Sequence, residues 1–194
     1  MARGSRHIAD NQSDDDCTKS AIDTTYICLK DTHYYSGRPG KYAEVEDDQS
    51  SSDISNVDGI ARRVDEGGKV LVSVGFAKIL DEQFVSYLKA SDSLKDVISP
   101  ASEKGKFVFL QYLVTDHRVG DKRRGAGAAL LQKVKEYAAE HDWKTIWIDC
   151  WDGGNGQLVQ YYLDRGFQIM GSFEDSDETD ETPWKGKLLR IQLE

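Results

Sequence analysis

The chain is poor in residues that cross-link or break structure: its 194 residues include 3 cysteines and 3 prolines. Cys17, Cys28 and Cys150 form no CxxC pair and are odd in number, which excludes a disulfide scaffold and a zinc ribbon. No cluster has metal-ligand spacing, so no metal is expected. No apolar run reaches membrane-spanning length, and no charged-then-apolar leader opens the chain. The expected compartment is therefore the reducing cytoplasm, with no membrane partner. A cationic surplus is missing as well: 25 Lys and Arg face 34 Asp and Glu, a net charge of −9. That balance argues against a nucleic-acid partner, whose affinity rests on neutralising phosphates.

What is present centres on residues 122–131, Lys-Arg-Arg-Gly-Ala-Gly-Ala-Ala-Leu-Leu. This stretch follows an apolar strand-like run, Phe107 to Val114, and opens a periodic helix. Leu130, Leu131, Val134, Tyr137 and Ala138 share one helical face; Gln132, Lys133, Lys135 and Glu136 share the other. A strand, a glycine turn and a helix start together form an anion site, because the first helical amides lack internal partners and the macrodipole adds positive potential. Gly125 and Gly127 allow close approach to a phosphate, and Arg123 and Arg124 add charge. The P-loop pattern is absent, and Leu130 stands where GxGxxG needs its last glycine.

A second block, Asn155-Gly-Gln-Leu-Val-Gln-Tyr-Tyr-Leu-Asp-Arg-Gly-Phe167, decides between phosphate binders. Together the two blocks resemble the GNAT superfamily of acyl-CoA-dependent N-acetyltransferases. That family opens its central helix with (R/Q)xxGxG(A/G) and later carries N-x6-Y-x3-GF. Lys122 replaces the leading Arg or Gln here, while Gly125, Gly127 and Ala128 match; Asn155, Tyr162, Gly166 and Phe167 match the second motif in full. The resemblance is firm over residues 107–173 and thin before residue 57.

The resemblance implies a single α/β domain over 1–194: a mixed, mostly antiparallel sheet with a splayed central strand pair, flanked by helices. It implies acetyl-CoA as co-substrate, with direct attack by a primary amine and no acyl-enzyme. Leu113, Val114 and Thr115 would hold pantetheine with backbone groups left open by the splay. The amides of Arg123, Arg124, Gly125, Ala126, Gly127 and Ala128, with Lys122 beside them, would take the pyrophosphate. Tyr162 stands at the general-acid position, and Asn155 would bond the pantetheine arm or cap the following helix. The expected acceptor is a small, cationic amine, in keeping with the net charge. A protein or peptide N-acetyltransferase and a catalytically silent CoA-binding module are the alternatives, and a homodimer is left open.

The general base is less marked. Asp149, an acid inside the apolar strand Thr145 to Cys150, is the first candidate, since burial raises a carboxylic acid toward a useful base. Glu82, the acids of Glu174 to Glu181, His117 and His141 are weaker ones, and Cys150 reads as core. Elsewhere, a short strand at Arg6 to Ala9, a helix from Ser13 to Leu29 and a turn-rich segment from His33 to Gly40 are expected. Residues 1–12 are expected to be disordered or partly of foreign origin, and 44–56 and 174–185 to be mobile loops. Val57 to Val64 and Lys69 to Leu80 read as a hairpin, residues 83–105 as a loop with one helical turn at Phe84 to Leu88, and Leu188 to Leu193 as the last strand.

Overall fold

The most apolar strand sets the plan of the sheet. A computed structural model of the chain describes residues 27–34, 38–47, 59–175 and 183–194. Strand β5 (Phe107–Thr115) begins with four buried residues in succession, so it is covered on both faces. Phe107 and Phe109 point to one face; Val108 and Leu110 point to the other. Strands β1 (Ile27–Tyr34), β2 (Arg38–Glu46), β3 (Arg62–Val64) and β4 (Val70–Asp81) precede it; β6 (Thr145–Trp151), β7 (Gln168–Asp175) and β8 (Trp184–Gln192) follow. The spatial order is β1-β2-β4-β5-β6-β8-β7, with β3 against the first part of β4. Every pairing is antiparallel except β5 with β6.

A parallel pair needs a crossover, and helix α3 (Ala126–Glu140) supplies it. Its Leu130, Leu131, Val134 and Ala138 bury against Val108, Leu110, Ile146 and Ile148. The opposite face is covered by α1 (Ser86–Ala90), a 3-10 turn at Asp92–Leu94 and α2 (Lys95–Lys104), which bring Leu88, Leu94 and Ile98 to Phe107, Phe109 and Trp147. The last helix, α4 (Gln157–Leu163), lies on the α3 side through Val159 and Tyr162.

The expected mixed, mostly antiparallel sheet flanked by helices is what the chain forms, and the hairpin appears as β3 and β4 around a turn at residues 65–68. Several boundaries differ. Residues 27–29, expected to end a helix, begin β1; residues 13–26 and the strand at Arg6 to Ala9 lie outside the described residues. The turn-rich segment contributes instead to the antiparallel pair β1–β2, with residues 35–37 outside the description. Glu44 to Glu46 end β2 rather than starting a loop. Ala43 and Val45 are fully buried, and the acids have basic partners: Glu44 with Arg63 at 2.7 Å, Glu46 with Lys69 at 2.8 Å. Glu174 and Asp175 belong to β7, and Trp184 and Lys185 to β8, so only 176–182 of the second expected loop stay outside the description. Residues 83–105, expected as a loop with one helical turn, form α1, the 3-10 turn and α2, with Pro100 inside α2; burial of Leu94 and Ile98 outweighs the hydrogen bond a proline forfeits.

Helix α3 lies close on the sheet at Gly75. A Cβ there would lie 2.9 Å from the Val114 carbonyl oxygen and 3.0 Å from a Leu130 methyl. The carbonyl is backbone and cannot swing aside. Gly75→Ala should therefore cost about 1–3 kcal/mol of stability, read as a lower urea midpoint at unchanged slope.

Candidate active site

Strands β5 and β6 stay paired only from Phe107↔Thr145 to Leu110↔Ile148. The next β5 residue is an insertion: Ile79 faces Leu110 and Lys78 faces Tyr112, so Gln111 is bulged out of the ladder. Beyond it β5 follows β4, while β6 follows β8 through Asp149↔Leu188 and Trp151↔Gly186. A gap opens between two strands that remain in one sheet.

Register decides which backbone groups face that gap. The Asp116 amide donates to the Val74 carbonyl at 3.0 Å, and such paired residues recur at every second position along an antiparallel ladder. Val114 and Tyr112 therefore give their amides and carbonyls to β4, while those of Leu113 and Thr115 look into the gap. Leu113 and Thr115, expected to hold pantetheine, thus keep their backbone groups open to the gap. Val114, named with them, has its backbone spent on β4, and its side chain is 53% exposed at the mouth of a cavity.

On the α3 side of the gap lies a cavity of about 610 Å³, lined by Leu113, Thr115, Arg123, Gly127, Tyr161 and Arg165 among others. Gly125 holds φ at 86°, the left-handed turn that launches the helix. The first helical bond runs from the Ala129 amide to the Gly125 carbonyl at 3.0 Å, so the amides of Ala126, Gly127 and Ala128 have no intrahelical partner. A Cβ on Gly127 would come within 3.1 Å of the Tyr161 hydroxyl, which makes this cradle narrow. Ala126 is fully buried and does not line the cavity, so Gly127 and Ala128 are the helix-start residues that face it.

The basic residues divide. Arg123 and Arg124 line the cavity, but the Arg124 guanidinium bonds Asp121 at 3.0 Å, and its amide is already donated to the Asp121 carbonyl. Lys122 does not line the cavity; its ammonium bonds Asp47 at 2.8 Å, and Asp47 also holds Arg62 at 3.0 Å. Sequence reading missed Arg165, whose guanidinium lies 3.6 Å from the Tyr161 ring centre and bonds the Tyr161 carbonyl at 2.8 Å. The long link between β5 and α3 is a 3-10 segment from His117 to Arg123, capped where Asp116 accepts from the Arg118 amide at 3.0 Å.

Across the gap is a second cavity of about 440 Å³, with Asp149, Gln111, Tyr87 and Trp151 in its walls. Leu113, Leu158 and Tyr162 line both cavities and form the partition between them. Tyr162 is only 3% exposed, and its ring meets Phe167 edge-on at 5.6 Å. The Tyr-x3-Gly-Phe spacing builds that contact: Gly166, at φ 88°, ends the turn, and the Phe167 amide returns to the Tyr162 carbonyl at 3.1 Å. Burial pushes the Tyr162 phenol above its ordinary range, so the hydroxyl keeps its proton at neutral pH. Asn155 is exposed and lines neither cavity; with φ at 65° it shapes the turn before α4, and Gly156 occupies the cap position with no side-chain bond. The capping role expected of Asn155 is thus not present.

Burial raises the Asp149 carboxyl to about 6, against the pull of a 2.8 Å hydrogen bond donated by the Tyr87 hydroxyl. Tyr87 comes from α1 and stacks on Phe173 at 5.9 Å; nothing in the sequence near Asp149 announced it. Beside it, Cys150 is pushed up to about 12 by burial and the neighbouring carboxylate, which removes it as a nucleophile at neutral pH. Trp151 lays its indole over Gly153 and Gly154, where a side chain at Gly153 would collide with the ring. Glu82 accepts the Lys106 amide at 2.6 Å, while His117 and His141 line neither cavity. Among the described residues no helix is long and apolar enough to cross a membrane.

The raised carboxyl has a stability consequence of definite sign. Between its unfolded value of ~3.9 and its folded value of about 6, Asp149 stays protonated when folded and ionises when unfolded, so stability falls as pH rises through that window. Asp149→Asn keeps an acceptor for Tyr87 and removes the titration. The variant's stability relative to the parent should rise from pH 4 to pH 6 by roughly 2–3 kcal/mol and then level off, as urea unfolding at a series of pH values would show.

No protein-family model matches the sequence, and no curated protein matches it. Solved structures do match. One is a candidate phosphinothricin N-acetyltransferase, 18% identical over 81% of this chain and 69% of that one, at a TM-score of 0.47. Another is Arabidopsis thaliana NAA60 in complex with a bisubstrate analogue, 16% identical over 80% and 76%, at 0.47. A third is yncA, a candidate acetyltransferase from Salmonella typhimurium with its cofactor acetyl-CoA, 13% identical over 81% and 66%, at 0.47. The chain is similar to these structures over those extents.

Proposed function

We propose that the chain is a member of the GNAT superfamily and an acetyl-CoA-dependent N-acetyltransferase that acts on a primary amine of a small molecule. One observation carries the reading: the unpartnered amides of Gly127 and Ala128, an open strand edge and a buried tyrosine border a single gap, with a raised carboxyl on its far side. The groups present suit CoA. The amides of Gly127 and Ala128, with Arg123 and Arg165, fit a pyrophosphate. The Leu113 and Thr115 edge fits an extended arm that carries amides, as a further strand would. Bound there, acetyl-CoA supplies a thioester whose carbonyl is open to attack from the Asp149 cavity.

The chain's own groups then divide the work. The Leu113 amide is aimed into the gap and can take charge on the carbonyl oxygen. Asp149 accepts the proton that the ammonium must lose. With an alkylammonium at ~10.4 and the carboxyl at about 6, that transfer is uphill by roughly 6 kcal/mol, less whatever burial takes off the ammonium's own pKa. The C–N bond forms as the C–S bond breaks, and the Tyr162 hydroxyl donates to the departing sulfur. A phenol held above its ordinary pKa gives a strong hydrogen bond more readily than a whole proton, so Tyr162 steadies the thiolate. The second proton, still on the nitrogen once the C–N bond has formed, passes to that thiolate to give the free thiol, and the first, held by Asp149, returns to solvent. A catalytically silent CoA module has no use for Asp149 poised near neutrality opposite Tyr162.

Acetyl-CoA should raise the melting temperature, with a ligand at 100 times its Kd adding about 2.7 kcal/mol. Gly127→Asp places bulk and negative charge in the cradle and should abolish that shift while the protein stays folded; an unchanged affinity would overturn the placement. Tyr162→Phe keeps the ring packing and removes the hydroxyl. Its kcat should fall by ~100-fold with little change in acetyl-CoA binding, and a donor with a more acidic thiol should recover part of the loss. Wild-type kcat in that variant with a slow-leaving donor would show Tyr162 to be packing alone.

A further inference from the structure

Seven large apolar side chains are exposed among the described residues, and five of them, Tyr112, Val114, Trp151, Leu158 and Trp184, line the Asp149 cavity. Exposed apolar groups scattered singly mean little, but their gathering at one mouth marks a surface that a ligand covers. Beneath them the polar groups converge. Asp149 lies at the Tyr87 hydroxyl, and Gln111, on the bulge, buries its Oε1 with no hydrogen-bond partner. Asp175 lies at the edge, within electrostatic reach of Tyr87. Both charged side chains in the lining are carboxylates; no lysine, arginine or histidine contributes to it. Outside the lining, the Lys78 ammonium lies 5.6 Å from the Tyr112 ring centre, and Lys187, held by Asp152 at 2.9 Å, is within electrostatic reach of Cys150.

We infer that this cavity selects its acceptor as an arylalkylamine: an ammonium at Asp149 and the free Gln111 oxygen, and a flat aromatic body among Tyr112, Trp151 and Trp184. The inference rests on the acetyltransferase reading and deepens it. A cavity of about 440 Å³ is of small-molecule size. Aromatic walls stack on an aromatic ring and attract an ammonium to their faces. A carboxylate on the ligand would meet two like charges and no partner, so an amino acid should be rejected where its decarboxylated amine is taken. An aliphatic polyamine brings no ring to stack on these walls, which favours an aromatic amine over it.

The test compares tryptamine, phenethylamine, butylamine, spermidine, L-tryptophan and a lysine-containing peptide as acceptors for the full-length protein, read by thiol release from acetyl-CoA. Tryptamine and phenethylamine should exceed butylamine and L-tryptophan in kcat/KM by about 10-fold or more. Tyr112→Ala and Trp184→Ala should each bring the tryptamine-to-butylamine ratio toward one. Equal use of tryptamine and L-tryptophan, or a preference for spermidine or the peptide, would overturn the assignment. Calorimetric binding of tryptamine without acetyl-CoA separates the two readings. If tryptamine binds more tightly than butylamine and no amine is acetylated, the cavity assignment stands and the transferase reading falls. If amines are acetylated without aromatic preference, the reverse holds.

Discussion

The site depends on where one ladder of hydrogen bonds stops. Parallel strands held together along their whole length would leave no backbone free and no space between them. Here the β5–β6 pairing ends at Leu110↔Ile148, and the bulge at Gln111 turns the rest of β5 toward β4. That single extra residue sets the phase of everything beyond it. It aims Leu113 and Thr115 into the opening and leaves Val114 hydrogen-bonded to β4. It also puts a glutamine side chain beneath the mouth of one cavity. Edge backbone is usually a liability in a sheet; enclosed between two covered halves, it becomes a row of fixed donors and acceptors.

The two sides of the partition differ in electrostatic character. On the α3 side the helix start, Arg123 and Arg165 present positive potential, while on the other side Asp149 and Asp175 are the charged groups. Leu113, Leu158 and Tyr162 separate them, an apolar layer with one hydroxyl in it. An anionic carrier and a cationic acceptor would thus approach from opposite faces and be brought together only at that layer. In the proposed chemistry Tyr87 matters as much as Asp149. Its hydrogen bond keeps burial from pushing the carboxyl still higher, where it would no longer be ionised at neutral pH.

The readable parts of the site were those whose chemistry is local. Gly125 and Gly127 shape one short stretch, and Tyr162, Gly166 and Phe167 another, so spacing reveals them. Asp149 stood out because an acid in a run of buried residues requires a reason. The unreadable parts depend on partners distant in sequence. Lys122 is drawn to Asp47, 75 positions away, and Asp149 meets Tyr87 at a separation of 62. The direction of Val114 follows from its register with β4. The cover formed by α1 and α2 was obscured by Pro100 and Gly105, which punctuate the sequence but not the packed layer. The acidic residues of β2 looked like a solvated loop because their arginine and lysine partners come from β3 and the turn after it.

Trp151 gives the acceptor side a property that no contact list conveys. Its indole rests on two glycines, and a side chain on Gly153 would collide with the ring. One side of the ring is thus seated while 48% of the residue stays open to solvent. A ring seated on one side has less freedom to lose when something stacks on the other; a fully mobile side chain loses of order 0.5–1.5 kcal/mol on being immobilised. Gly153 and Gly154 thus act on affinity without touching any ligand: as a floor, by being empty.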